Sequence, residues 1–295
     1  GVQLGQPSQA EGALPGRFPE IRGHLKQVQD GLGIRQMDGA VHRLNFLVRE
    51  AGVWGFFFLV GIRRVIEHLL ELPQVVGGGH HIEEGPAGAE HNWEQMLIGE
   101  AVQAGCLSLG ENKVQEIMEK YEPMMEYAPE GERIHWHLIG HLQTNKVKYI
   151  IDKVDMIHSV ESLKLAEEIE KRAAQKDIVM DILIEVNMAA EESKFGVKPE
   201  DTEALLREIA KMQHIRVRGL MTVAPFVENQ EENREVFRQM RELLVDMNGK
   251  KIDNIKMDTL SMGMTGDYEV AIEEGATIVR VGTGIFGERY YPNKG

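Results

Sequence analysis

One cysteine, Cys106, in 295 residues excludes an internal disulfide framework and any metal site built from several cysteines. It suits a reducing compartment, and the cytoplasm is the expected location. Long apolar runs are also lacking. The longest, Val53–Ile62, is about half of what a bilayer crossing needs. Positive charge is scarce: 33 Lys and Arg stand against 47 Asp and Glu, a formal net charge of −14. So acidic a balance excludes a nucleic-acid backbone or an anionic membrane as the main partner, since either needs a basic face. What is present is a globular composition, 42% hydrophobic and 27% charged, long enough for one large α/β domain or two smaller ones.

Lysine is absent from Lys26 to Lys113, and the composition changes near residue 92. Residues 1–92 hold 16 of the 31 glycines and six of the 11 histidines but a single lysine. No sustained period runs through them. Glu20–Val28 and Arg63–Leu72 read as short helices, and Phe56–Val60 as a strand. Gly77-Gly78-Gly79 reads as a connector, followed by His80 and His81, a pair without the third ligand a metal needs. The expected organisation is an atypical segment over residues 1–92 and an ordered domain over 93–295.

From Trp93 onward, β-rich runs alternate with amphipathic helical runs. Strands are predicted at Leu107–Leu109, Ile134–Ile139, Met156–Val160, Ile182–Val186, Val217–Val223, Thr259–Met262 and Ile278–Val281. Helices are predicted at Trp93–Ala104, Lys113–Tyr121, Thr144–Ile151, Leu163–Gln175, Pro199–Met212, Asn229–Met247 and Tyr268–Glu274. Continuous apolar strands such as Ile182–Ile184 suit a parallel sheet, and regular βα repetition favours a TIM-type (β/α)8 barrel. An open doubly wound sheet is less favoured, because no Gly-x-Gly-x-x-Gly turn follows the first strand. Seven strands are visible, so the first strand of the barrel is missing or replaced.

The site of such a barrel lies at the carboxyl ends of its strands, with anions often held after strands 7 and 8. Both of those turns are rich in small and hydroxyl residues: Ser261-Met262-Gly263-Met264-Thr265-Gly266 and Gly282-Thr283-Gly284. Their backbone N–H groups and hydroxyls suit a phosphate, and Arg280 adds a fixed positive charge. Asn112, after the first visible strand, either caps the next helix or reaches into the site. His135 and His137 share a strand face, with His141 just beyond, and one of them touching a ligand is favoured over a three-histidine zinc site. His158 and Asn187 also fall at strand ends, and Met221, Met262 and Met264 read as packing.

These residues fall into motifs. Leu109–Glu116 (LGENKVQE), Trp136–Lys146 (WHLIGHLQTNK), His158-Ser159-Val160, Gly219–Thr222 (GLMT), Ser261–Met264 (SMGM) and Val279–Thr283 (VRVGT) strongly resemble the pyridoxal phosphate homeostasis proteins. The resemblance covers about Trp93 to Tyr291. It implies a single-domain barrel similar to the N-terminal domain of alanine racemase, holding pyridoxal 5'-phosphate (PLP) at its mouth. Ser261, Gly263, Gly282 and Thr283 would hold the phosphate, Arg280 would lie near the pyridine nitrogen, and Asn112 and His137 would line the pocket. It implies a cofactor-supplying rather than catalytic protein, a monomer serving PLP-dependent client enzymes. The chain departs from the family at one point. The family's lysine, which binds the cofactor as a Schiff base, ends the first strand about 20 residues before Gly-Glu-Asn; that count lands near His91, and an imidazole cannot form the imine. Lys194 is a weak substitute. A PLP-dependent racemase on the same barrel is the alternative, and a ligand-free interaction module a third reading.

Overall fold

The computed structural model describes residues 89–189 and 195–286. The readings made on residues 1–88, and the substitute amine Lys194, lie outside the described residues. Helix α1 spans Ala89–Gln103, β1 Ser108–Glu111, α2 Val114–Met125, β2 His135–Leu138, α3 Val147–Ile150 and β3 Met156–Val160. Then come α4 Leu163–Lys176, β4 Met180–Glu185, α5 Thr202–Ile209, β5 Ile215–Met221 and α6 Arg234–Gly249. The described chain closes with β6 Thr259–Met264, α7 Tyr268–Glu273, β7 Ile278–Arg280 and α8 Thr283–Phe286. All seven expected strands are present, Met156–Val160 with the bounds predicted and the others with boundaries displaced by at most two residues. Helices α3, α5 and α6 begin later than their periodicity predicts, because a tight 3-10 turn precedes each, at Thr144–Lys146, Pro199–Asp201 and Gln230–Asn233.

Every neighbouring pair of strands is parallel, and the order in the sheet is the order in the chain, β1 through β7. Right-handed crossovers in one direction set all the helices on one face of such a sheet. The other face can then be covered only by the sheet itself. A flat sheet would hold β3 and β6 about 14 Å apart. Instead His158 Nδ1 of β3 lies 3.0 Å from Ser261 Oγ of β6. The sheet is therefore curled into a nearly closed barrel, with the strands' carboxyl ends gathered on one rim. Its edges are β1 and β7, and among the described residues no strand joins them. The position near His91 falls on α1, so a helix, not a strand, precedes β1 there.

The outer core forms where helix stripes meet the strands. On α4, Leu165, Ala166, Ile169 and Ala173 are buried at helical spacing. Ser162 caps the start by accepting from the Leu165 amide at 3.3 Å, and Asp177 ends the helix in the left-handed conformation, φ 54°. On α6, Phe237, Met240 and Met247 are buried. Helix α2 is pinned to β1 by a buried ion pair, Glu111 Oε1 to Lys120 Nζ at 2.7 Å. At the rim opposite the strands' carboxyl ends, Arg216 meets Asp181 through two hydrogen bonds of 2.6 and 2.9 Å.

One glycine sets the spacing of the strands that carry the site. A Cβ at Gly219 of β5 would lie 1.8 Å from the Thr259 carbonyl oxygen of β6. Backbone cannot retreat from such a clash as a flexible side chain would. Gly219→Ala is expected to lower unfolding free energy by about 2–4 kcal/mol, read by urea denaturation; a loss below about 0.5 kcal/mol would contradict this strand spacing.

Candidate functional site

The curl brings polar side chains from strands distant in sequence into one interior layer near the carboxyl-end rim. Register identifies the layer: Glu185 pairs with Met221, and Met221 pairs with Ser261, so the three share a face. Ser261 is fully buried and its hydroxyl meets His158, so that face is the barrel interior. Arg280 of β7 donates from Nη1 to Ser261 Oγ at 2.7 Å and from Nη2 to the Thr222 carbonyl at 2.8 Å. His158 continues the chain, its Nε2 lying 2.8 Å from His137 Nδ1. One hydrogen-bonded line thus runs Thr222–Arg280–Ser261–His158–His137 across β2, β3, β6 and β7.

Burial dictates the charges along it. It holds His137 down at about 4, Asp155 pulling the other way, and it holds His158 well below the ordinary imidazole range, helped by His137 and Arg280. Both rings are therefore neutral at pH 7, each with one donor and one acceptor nitrogen. Burial also pushes the Arg280 guanidinium down, to about 10, against the pull of Glu185 and Asp267, so it stays cationic. Glu185, the last residue of β4, is pushed up to about 7 by burial first and Glu161 second, with Arg280 opposing.

The neighbouring rim is built by the turns after β6 and β7. Gly263 has φ +90°, and a Cβ there would come within 2.5 Å of Ala271 Cβ, so only glycine fits. Asp267 ties the first turn, accepting from the Met264 amide at 2.7 Å and from Asn233 Nδ2 at 2.8 Å. Thr265 joins the two turns: its Oγ1 accepts from Thr283 Oγ1 at 3.1 Å and from the Gly284 amide at 3.2 Å. Gly282 is exposed, and a Cβ there would meet nothing within 4 Å, so packing does not require its glycine.

Of the predicted site residues, His137, Ser261 and Arg280 fall on the interior line, while Gly263 lies near the end of β6, Gly282 in the turn after β7 and Thr283 at the start of α8. Ser261 lies inside β6, as the predicted strand Thr259–Met262 has it, with its side chain fully buried rather than displayed on the turn that it opens. Asn112 is exposed at the end of β1, where a Cβ on Gly140 would come within 2.4 Å of its carbonyl oxygen. It does not cap α2, whose N-cap is Lys113 with no side-chain bond, and no hydrogen bond joins it to the interior line among the described residues. His135, His137 and His141 part company, meeting Asp155, His158 and Glu161 respectively. Among the described residues no three metal-binding side chains converge. Met221 and Met262 are buried as packing, while Met264 is exposed. Sequence reasoning places His158 only at a strand end and within a motif, and Thr265 only within the first anion turn, and it gives Glu185 and Thr222 no site role. Glu185 carried a signal, being an acid inside an apolar strand.

Comparison with known proteins locates this arrangement. The family described as alanine racemase, N-terminal domain, matches residues 90–290. A pyridoxal phosphate homeostasis protein of Aquifex aeolicus is 44% identical over 230 residues, covering 78% of this chain and 97% of that one. PipY of Synechococcus elongatus PCC7942, solved with PLP bound, is similar at a TM-score of 0.59 and 32% identity, covering 65% of this chain and 87% of that one. Alanine racemase of Clostridium difficile 630 shares the fold, with a TM-score of 0.50 at 16% identity over 67% of this chain and 49% of that one.

The neutral histidines make stability depend on pH. The folded chain holds His137 at about 4, below its ordinary value, so the unfolded chain takes up the proton first as pH falls. Stability supplied by the neutral ring is therefore full above about pH 6.5 and is lost toward pH 4. In His137→Gln, the loss of unfolding free energy between pH 7 and pH 4.5 should shrink by about 2–3 kcal/mol relative to the native chain. An unchanged loss would contradict the neutral assignment.

Proposed function

The chain belongs to the pyridoxal phosphate homeostasis proteins, and we propose that its barrel mouth binds pyridoxal 5'-phosphate without catalysing turnover. The observation that carries this reading is the union of a buried, still charged guanidinium with two hydroxyl- and glycine-bearing turns on one rim. Pyridoxal 5'-phosphate needs that combination: short-reach hydroxyl and amide donors around the phosphate oxygens, and a fixed cation beside the ring nitrogen. The residues present fit the cofactor. Gly282, which nothing crowds, and Thr283 hold the phosphate, Gly263 shapes the neighbouring turn, and Ser261 fixes Arg280 from below. Asn112 and His137 line the approach from the β1 and β2 ends.

When bound, the cofactor supplies a reactive aldehyde and an electron-accepting ring. Arg280, which keeps its own proton, would stand beside the ring nitrogen as a cation and so would disfavour protonation there, blunting the ring as an electron sink. His137 and His158, both neutral and tied to one another, offer no strong acid at pH 7. This accords with binding and delivery to PLP-dependent client enzymes rather than chemistry in place. The binding domain is residues 93–295, working as a monomer in the cytoplasm.

Spectroscopic titration of the full chain with PLP tests the reading. Saturable one-to-one binding is expected, with no racemisation of amino acids. Removing the guanidinium in Arg280→Gln should weaken binding about 10- to 100-fold, the loss of a charge-assisted hydrogen bond, and Thr283→Ala should weaken it less. Absence of saturable binding by the native chain would overturn the proposal, as would amino-acid racemisation above background.

A further inference from the structure

Among the described residues, the carboxylate of Glu185 in the interior layer has one oxygen that no donor meets. Glu185 ends β4 with 7% of its surface exposed, and among the described residues its Oε2 atom is buried with no hydrogen-bond partner. It faces the barrel interior in the same layer as Ser261. Its nearest cation does not fill the gap. Arg280 influences Glu185 electrostatically but spends Nη1 on Ser261 and Nη2 on Thr222. The backbone there is fixed as well: Thr222 Oγ1 donates to the Val186 carbonyl at 2.8 Å, and the Val197 amide donates to the Glu185 carbonyl at 2.9 Å. The residue's backbone is held in place at the carboxyl end of β4, with one carboxylate oxygen left for something that enters from the mouth.

That oxygen discriminates between ligands by whether they bring a donor. Above about pH 7, where the Glu185 carboxyl is ionised, an aldehyde oxygen, which only accepts hydrogen bonds, would set lone pairs against lone pairs. A primary ammonium brings three N–H donors and a positive charge that a buried carboxylate otherwise lacks. Leaving a buried acceptor unmet is costly, so the preference is one of penalty as much as attraction. The sequence points the same way, since no lysine lies from Lys26 to Lys113, the stretch in which the resemblance places the amine that captures an aldehyde.

We infer that Glu185 receives a ligand ammonium group, so that the barrel mouth prefers an amine-bearing phosphate ester, pyridoxamine 5'-phosphate, over forms of the same cofactor without an amine. This rests on the phosphate-ester reading of the site proposed above and deepens it by naming the ligand class. Glu185 is then a specificity residue, and Arg280 with the two rim turns supplies binding common to all forms.

Calorimetric titration of the full chain at pH 8 separates the two claims. The probes are pyridoxamine 5'-phosphate, 4'-deoxypyridoxine 5'-phosphate, which replaces the aminomethyl group with a methyl and forms no adducts with surface amines, and inorganic phosphate. The native chain should bind the amine at least tenfold more tightly than the deoxy form. Glu185→Gln, of the same shape, should bring the two within about threefold by weakening the amine alone. Equal affinities in the native chain, or an unchanged ratio in Glu185→Gln, would overturn the inference while the phosphate-ester site stands. Binding of neither ester by the native chain would overturn both.

Discussion

The buried guanidinium of Arg280 is the constraint around which the interior of this barrel is arranged. Taking a cation out of water costs several kcal/mol unless fixed partners replace its hydration. Here they are Ser261 Oγ and the Thr222 carbonyl, with Glu185 and Asp267 contributing field rather than direct bonds. Burial keeps both nearby imidazoles neutral, and at His158 the Arg280 charge reinforces it. Their neutrality in turn makes the hydrogen-bonded line possible, since each neutral ring can donate on one side and accept on the other. Charge and hydrogen bonding are thus one problem with one solution: a single cation at one end and uncharged relays behind it.

That solution needs strands held closer and curled more tightly than side chains on every residue would allow. Gly219 lets β5 approach the Thr259 carbonyl, and this fixes the register by which Glu185, Met221 and Ser261 come to share a face. Gly263 lets the chain leave β6 with a positive φ over Ala271, and the register with β7 shifts between Ser261 and Met264. The shift sets the following turn where Thr265 can meet Thr283. Two glycines of different purpose, one for spacing and one for direction, connect backbone geometry to the rim.

The alternation of elements was legible because period-2 and period-3.6 patterns are local, and seven strands in chain order left few topologies besides a barrel. Ser261 was legible as a strand residue, but its burial was not: Gly263 and Gly266 read as a turn, whereas the strand continues through Met264 by accommodating the positive φ at Gly263. Asn112 showed the reverse error, a residue with capping chemistry whose neighbour Lys113 occupies the cap. The partnership of His158 with Ser261 spans 103 positions and exists only because the sheet curls, so no spacing rule could find it. The acid at the end of β4 broke an apolar pattern, which marked it as expensive to bury, but its meaning depended on which side of the strand faced inward. Motif resemblance succeeded where periodicity could not, because a motif carries the result of the curl without its geometry.

An anion site on a chain of net charge −14 must overcome its own long-range field. At physiological ionic strength that field is screened beyond roughly 8–10 Å, so surface acids on the outer helices weigh little at the mouth. Inside the barrel, screening is weak and one fixed cation outweighs many distant anions. The same weak screening gives Glu185 its leverage. A carboxylate on the surface would be indifferent to what binds beside it, but a buried one opposes every ligand that brings no donor. Selectivity and affinity therefore come from two groups of opposite sign that feel each other's field, the guanidinium bonded to Ser261 and Thr222 and the carboxylate left with an oxygen to meet a ligand.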